Sequence, residues 1–217
     1  MKYSAVLFDL DGTLLDTLED LGGSVNSVLV SLGFPGHGME AYRYFVGDGV
    51  ENLVRRPLPD EVRGDENLVR EGVSKMRAEY SRRWHERTRV YDGITELLDG
   101  LEARGVRCAV LSNKPHPAVL DVMGHYFPRR RFDAALGARP HVPNKPDPAA
   151  ALEIGRMLGI APSRFVYLGD TNTDMQTAIA AGMLPVGALW GFRTEAELRE
   201  SGAAVLVAHP REVLDLL

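Results

Sequence analysis

Apolar residues along this chain fall into two alternating kinds of run. Ala5-Val6-Leu7-Phe8 is short and continuous, the pattern of a strand buried on both faces of a parallel sheet. It stops abruptly at Asp9-Leu10-Asp11-Gly12-Thr13. Cys108-Ala109-Val110-Leu111 and Phe165-Val166-Tyr167-Leu168 repeat the pattern, and residues 132–136, 184–188 and 204–207 repeat it more weakly. Between them, Ile94, Leu97, Leu98 and Leu101 follow the i, i+3, i+4, i+7 spacing of one helix face. Ala150, Leu152, Ile154, Met157 and Leu158 suggest a second helix, with Pro148 near its first turn. Strands alternating with helices predict right-handed βαβ crossovers and an α/β fold built on a doubly wound parallel sheet.

The stretch from about Asp16 to Arg87 breaks this alternation. It carries no convincing strand, is rich in Leu, Val, Glu and Arg at helical spacing, and is punctuated by Pro57 and Pro59. It is read as an α-helical cap domain inserted after the first strand. The expected division is a core of residues 1–15 and 89–217 and a cap of residues 16–88. The arginines of its latter half, Arg70, Arg77, Arg82, Arg83 and Arg87, fit a solvated helix face better than a site that steers anions.

Composition narrows the classes of function. The chain has 217 residues, 45% hydrophobic and 25% charged, ordinary for a globular protein with a sizeable core. A net charge of -5 argues against electrostatic binding of nucleic acid. No stretch approaches the roughly 18 apolar residues of a membrane span, so no membrane association is expected. The N-terminal apolar run meets two aspartates before it reaches the length of a signal peptide. The single cysteine, Cys108, has no internal partner, which makes a cytoplasmic location the expectation.

In an open α/β sheet, ligands bind beyond the carboxyl ends of the strands. Here those ends carry Asp9 and Asp11, then Ser112-Asn113-Lys114, then Gly169-Asp170 with Asp174 shortly after. Lys145 lies in the Pro143-Asn144-Lys145-Pro146 turn. Folding should gather these at one edge of the sheet. Carboxylates crowded together repel unless a cation sits among them, and oxygen ligands favour a hard ion, Mg2+ before Ca2+. Taken singly, each residue has a plainer reading. Asp11-Gly12 suits a turn, Ser112 or Asp170 a helix cap, and Lys145 the surface.

Together the motifs resemble those of the haloacid dehalogenase-like (HAD) phosphatases. Phe8-Asp9-Leu10-Asp11-Gly12-Thr13-Leu14 resembles the first family motif and Leu111-Ser112-Asn113 the second. Lys145 resembles the third and Gly169-Asp170-Thr171-Asn172-Thr173-Asp174 the fourth, all in the family's order. The resemblance implies a Rossmann-like core and an Mg2+-dependent hydrolase. Asp9 would be the nucleophile that becomes an aspartyl-phosphate. Asp11 would be the general acid and later base, its carbonyl also ligating the metal. Lys145 and the metal would offset charge. Gly12 and Thr13, Ser112, the N–H of Asn113 and Lys145 would bind the phosphoryl group. Asp170 would bind the metal, and Asp174 would ligate it through water or orient its ligands. Dehalogenases and phosphonate hydrolases of the superfamily lack an aspartate at the position of Asp11, so its presence points to phosphate esters. Thr171 stands where relatives commonly carry Ser, and it can still cap the following helix.

Within the superfamily, Val46-Gly47-Asp48-Gly49-Val50-Glu51-Asn52-Leu53 is similar to the cap signature of phosphoglycolate phosphatases. Ser112-Asn113-Lys114-Pro115, Tyr91-Asp92-Gly93 and Lys145-Pro146-Asp147-Pro148 also resemble that group. The expected activity is hydrolysis of a small phosphorylated metabolite, 2-phosphoglycolate first, by a monomer or homodimer. A β-phosphoglucomutase-like isomerase is one alternative; Arg55-Arg56 follows the cap turn but matches that group's arginine-bearing turn poorly. The other is a non-catalytic binding protein, against which the full carboxylate set weighs. The six histidines, His37, His85, His116, His125, His141 and His209, show no metal-ligand spacing. Cys108 and Trp190 are read as packing, and Arg129-Arg130-Arg131 as a solvated loop.

Overall fold

The computed structural model describes residues 2–129 and 132–217. In chain order the strands and α-helices are β1 (Ala5–Phe8), β2 (Leu15–Asp16), α1 (Leu18–Ser31), α2 (Met39–Phe45), α3 (Gly49–Arg55), α4 (Glu66–Arg83), β3 (Arg89–Val90), α5 (Ile94–Ala103), β4 (Arg107–Pro115), α6 (His116–Tyr126), β5 (Ala134–Ala138), α7 (Ala149–Leu158), β6 (Phe165–Gly169), α8 (Asn172–Ala181), β7 (Leu184–Ala188), α9 (Glu195–Glu200) and β8 (Val205–Val207). They divide into two compact units, one holding the chain up to Leu15 and from Val90 on, the other Asp16–Arg89.

The first unit is an α/β domain around a six-stranded sheet in the order β5-β4-β1-β6-β7-β8. All of its neighbouring strands pair in parallel. The chain runs outward from β1 through β4 to β5, then returns to β6 on the other side of β1 and continues to β8. The strand order therefore reverses at β1 and β6, and at such a switch point a crevice opens beyond the strand ends. Both strands are wholly buried. Alternation sends Ala5 and Leu7 to one face, where they join Leu111, Tyr167, Ile154 of α7 and Ala178 of α8 in a single apolar cluster. Phe8, on the other face, meets Phe132 edge to face.

Two strands depart most from their apolar runs. β4 continues through Ser112, Asn113 and Lys114 to Pro115, with an irregularity in register after Leu111. β5 begins at Ala134, so Phe132, counted as strand from its run, lies before it. Phe132 makes ring contacts with Phe8 and Phe127, a use of an apolar residue that periodicity does not distinguish from strand burial. Cys108 packs in the interior as expected, its thiol pushed up to about 12 first by burial and then by Asp133. Of the arginine run, Arg129 is exposed, and Arg130 and Arg131 lie outside the described residues.

The second unit is α-helical. α1 packs against α2 and α4, and α3 against α4, around Val25, Leu29, Tyr42, Leu53, Val69 and Met76. Buried Asp20 in α1 accepts hydrogen bonds from the N–H of Arg87 and from the N–H and hydroxyl of Thr88, tying the start of the unit to its end. Arg70, Arg77, Arg82 and Arg87 lie exposed, as a solvated face requires. Among the described residues, no helix is long and apolar enough to cross a membrane.

Candidate functional site

The register of the central strands sets the geometry of the site. Phe8 is level with Val110 of β4 and Leu168 of β6. Asp9 is therefore the first residue past β1, and its N–H still reaches the Leu168 carbonyl at 2.9 Å. Asp170 follows β6 directly, and Asp174 stands in the first turn of α8. Asp9, Asp170 and Asp174, all buried, each bring a carboxylate oxygen within 4.8 Å of the others.

Lys145 answers part of this charge. Its Nζ lies 2.9 Å from Asp9 Oδ1 and 2.7 Å from Asp174 Oδ1, and donates to the Leu111 carbonyl at 3.3 Å. An ammonium has three donors, and these contacts use them all. Asn113 holds the lysine backbone in place: its amide donates to the Lys145 carbonyl at 3.1 Å and its oxygen accepts the Lys145 N–H at 2.9 Å. Asp174 also serves its own helix. Its Oδ2 accepts the N–H of Thr171 at 3.0 Å and the Thr171 hydroxyl at 2.7 Å. A side chain so occupied orients Lys145 and caps α8 at once.

Asp170 is held on three sides. Its Oδ1 accepts the Thr13 hydroxyl at 2.7 Å and its Oδ2 the N–H of Phe192 at 2.9 Å. Two glycines crowd it: a Cβ built at Gly12 or at Gly191 would collide with the Asp170 side chain. Gly12 also has φ near +90°, which favours glycine on its own account. Gly191→Ala is expected to cost about 1–3 kcal/mol by overpacking, read by urea unfolding. A variant as stable as the wild type would show that Asp170 is free to move.

The electrostatics follow from burial. Asp9 is held well above the usual carboxylate range, first by burial and then by the charge of Asp174, against the pull of Lys145. Burial and Asp174 raise Asp170 to about 7, although Phe192 and Thr13 donate to it. Burial alone would lower Lys145, but Asp174 and Asp9 hold its ammonium well above its ordinary value. This is a net-negative, all-oxygen cradle with a raised affinity for positive charge, and it fits a hard divalent cation.

Other expected site residues are placed differently from one another. The Thr13 hydroxyl points to Asp170, and the N–H of Gly12 donates to the Leu15 carbonyl at 2.8 Å. Gly12 contributes space at Asp170 rather than an open donor. Ser112 is buried and its hydroxyl accepts the N–H of Lys114 at 3.1 Å. The Asp11 carboxylate stands apart from the three-carboxylate group, with each oxygen 2.8 Å from Lys114 Nζ. In the helical unit, Arg56 donates to the carbonyls of Tyr44 and Phe45 and pairs with Asp48, bracing the turn before α3. Arg55 pairs with Glu51 and Glu66.

Several contributors escaped the sequence reading. Tyr167, fully buried, places its hydroxyl 3.4 Å from Asp174 Oδ1. Its one signal is a hydroxyl inside an otherwise apolar run. Trp190 does more than pack, since its indole N–H donates to the Thr13 carbonyl at 3.0 Å. Lys114 and Gly191 carried no assigned role; a charged residue at the end of a buried strand was the available clue to the first.

Residues 6–188 match the family model for haloacid dehalogenase-like hydrolases. A phosphoglycolate phosphatase of Pseudomonas savastanoi pv. phaseolicola is 34% identical over 212 residues, covering 96% of this chain and 78% of that protein. One from Pseudomonas putida is 37% identical over 190 residues, covering 86% and 70%. A solved structure from Lactobacillus delbrueckii subsp. bulgaricus, provisionally named a phosphoglycolate phosphatase, superposes with a TM-score of 0.93 at 31% identity. That alignment covers 100% of this chain and 98% of the other.

Proposed function

We propose that this chain, which belongs to the haloacid dehalogenase-like hydrolase family, hydrolyses a small phosphate monoester through Asp9, with Mg2+ as cofactor and 2-phosphoglycolate as the preferred substrate. The observation that carries the reading is the placement of Asp9 at the switch point, 2.9 Å from a buried lysine and grouped with Asp170 and Asp174. The names of the Pseudomonas relatives support the choice of substrate. The helical unit Asp16–Arg89 follows the first motif, where the resemblance puts a cap, and we read it as one.

Asp9 and Asp170, with the Asp11 carbonyl, would hold the ion, and Asp174 would stand behind them through Lys145. When bound, Mg2+ supplies neutralisation of the phosphate oxygens, without which a carboxylate would be repelled by a dianionic ester. A carboxylate oxygen of Asp9 attacks phosphorus, the bond to the leaving oxygen breaks, and Asp11 gives that oxygen a proton. Lys145 keeps Asp9 oriented and offsets its charge. Water then attacks the aspartyl-phosphate, Asp11 takes the water's proton, and the Asp9–phosphorus bond breaks to release inorganic phosphate. The test is phosphate release from 2-phosphoglycolate by purified protein. Release should stop in excess EDTA and return with Mg2+; release that persists in EDTA would refute the metal assignment.

Metal binding has a second readout, in stability. Without metal, the folded state holds a proton on Asp170 up to about pH 7, whereas the unfolded chain, with a value near 3.8, has released it. The folded state thus binds more protons between those limits, so its stability falls as pH rises through the window. Mg2+ replaces the proton. The Mg2+-induced rise in melting temperature should be small near about pH 4 and grow by several degrees above about pH 7. A rise independent of pH would separate the ion from these carboxylates.

A further inference from the structure

Lys114 is a buried cation with no part in the chemistry above. It lies near the end of β4 with its side chain 5% exposed, and its Nζ contacts both oxygens of Asp11 at 2.8 Å. Burying a lysine is unfavourable unless a partner compensates, so a residue at this place needs a reason. Asp11 has the opposite problem. On the reading proposed above it must meet the leaving oxygen, yet here both of its oxygens are bound to an ammonium. For Asp11 to turn toward an ester, Lys114 has to give up at least one contact.

An ester that brings its own anion removes this conflict. Two successive hydrogen bonds of about 2.8 Å put Lys114 Nζ within about 5–6 Å of any oxygen that Asp11 protonates. A carboxylate one carbon from the ester oxygen falls inside that span. We propose that Lys114 is a specificity-determining residue: it exchanges Asp11 for a carboxylate carried on the leaving portion of the substrate, so that an anionic leaving group frees the acid that protonates it. A neutral alkyl phosphate must break the Asp11–Lys114 pair without replacing it, and a cationic one meets the ammonium directly. This rests on the hydrolase reading and deepens it by naming the residue that selects the carboxylate of such a substrate.

The test compares kcat/KM for three matched esters with Mg2+: 2-phosphoglycolate, ethyl phosphate and O-phosphoethanolamine. kcat/KM reports steps up to loss of the leaving group, so it isolates the step at which Asp11 acts as acid. The wild type should rank them anionic, neutral, cationic, with roughly 100-fold or more between the first two. This ranking needs no variant. Lys114→Met keeps the length and removes the charge. It should lower both values, because Asp11 loses its partner, but narrow the ratio of 2-phosphoglycolate to ethyl phosphate by at least about 10-fold. Lys114→Arg should retain more of the ratio than Lys114→Met. A flat series in the wild type, or an unchanged ratio in Lys114→Met, would overturn the proposal while leaving the hydrolase chemistry intact. Wild-type protein that releases phosphate from none of the three would overturn the hydrolase reading and this one with it.

Discussion

Asp9→Asn is expected to abolish phosphate release while leaving the metal-free protein at least as stable as the wild type. The loss of turnover follows from chemistry: an amide does not displace a leaving group from phosphorus, and removal of a covalent nucleophile costs at least about 10⁴-fold. The stability follows from the surroundings. Asp9 Oδ1 accepts the N–H of Leu10 at 2.7 Å and contacts Lys145 Nζ at 2.9 Å, and an amide oxygen at that position keeps both contacts. Burial and the charge of Asp174 already disfavour the ionised form of Asp9, so a neutral replacement relieves repulsion. Phosphate release with 2-phosphoglycolate and a thermal melt in EDTA check the two halves together. Activity above about a hundredth of wild type would remove Asp9 from the role of nucleophile. A large drop in melting temperature would show that its charge is needed to hold the fold.

The parts of this site that were legible in the sequence are those that interrupt a pattern. Asp9 and Asp170 end runs of buried apolar residues, and a carboxylate at the end of a central strand has few structural uses. The doubly wound sheet was legible for the same reason, because its inner strands are continuous apolar segments. Lys145 was placed at the sheet edge by its turn, but its role was visible only through resemblance. It sits in a loop between β5 and α7, and its partners Asp9 and Asp174 are distant in sequence. Thr13 shows the limit more sharply. Its place in the first motif suggested phosphate, while the contact its hydroxyl makes, to Asp170, lies 157 positions away. Lys114 was equally opaque, since its meaning lies in a contact with Asp11 across 103 positions. The sizes of side chains facing Asp170, which demand glycine at Gly12 and Gly191, depend on tertiary packing that no local spacing encodes.

Lys145→Met should be as inactive as Asp9→Asn but, unlike it, unstable. Both variants lose one member of the same ion pair, so a simple count of contacts would rank them alike. Charge separates them. Removing Asp9 takes one negative charge from a site that groups three carboxylates around one ammonium, whereas removing Lys145 takes away the cation that contacts both Asp9 and Asp174. Truncating one partner of a buried pair costs about 3–5 kcal/mol, because the other charge stays buried without compensation. The site can reduce that cost only by taking up protons, which Asp9 already does more readily than an exposed carboxylate. The destabilisation should therefore be least near about pH 4 and grow as pH rises, since the folded variant binds more protons than its unfolded chain. Mg2+ should recover part of the lost stability without restoring turnover, because the ammonium that orients Asp9 for attack is still missing. Urea unfolding of both variants with and without Mg2+ would decide this. Equal stabilities would mean that Lys145 is held by the Asn113 clamp and the surrounding packing rather than by the carboxylates it contacts.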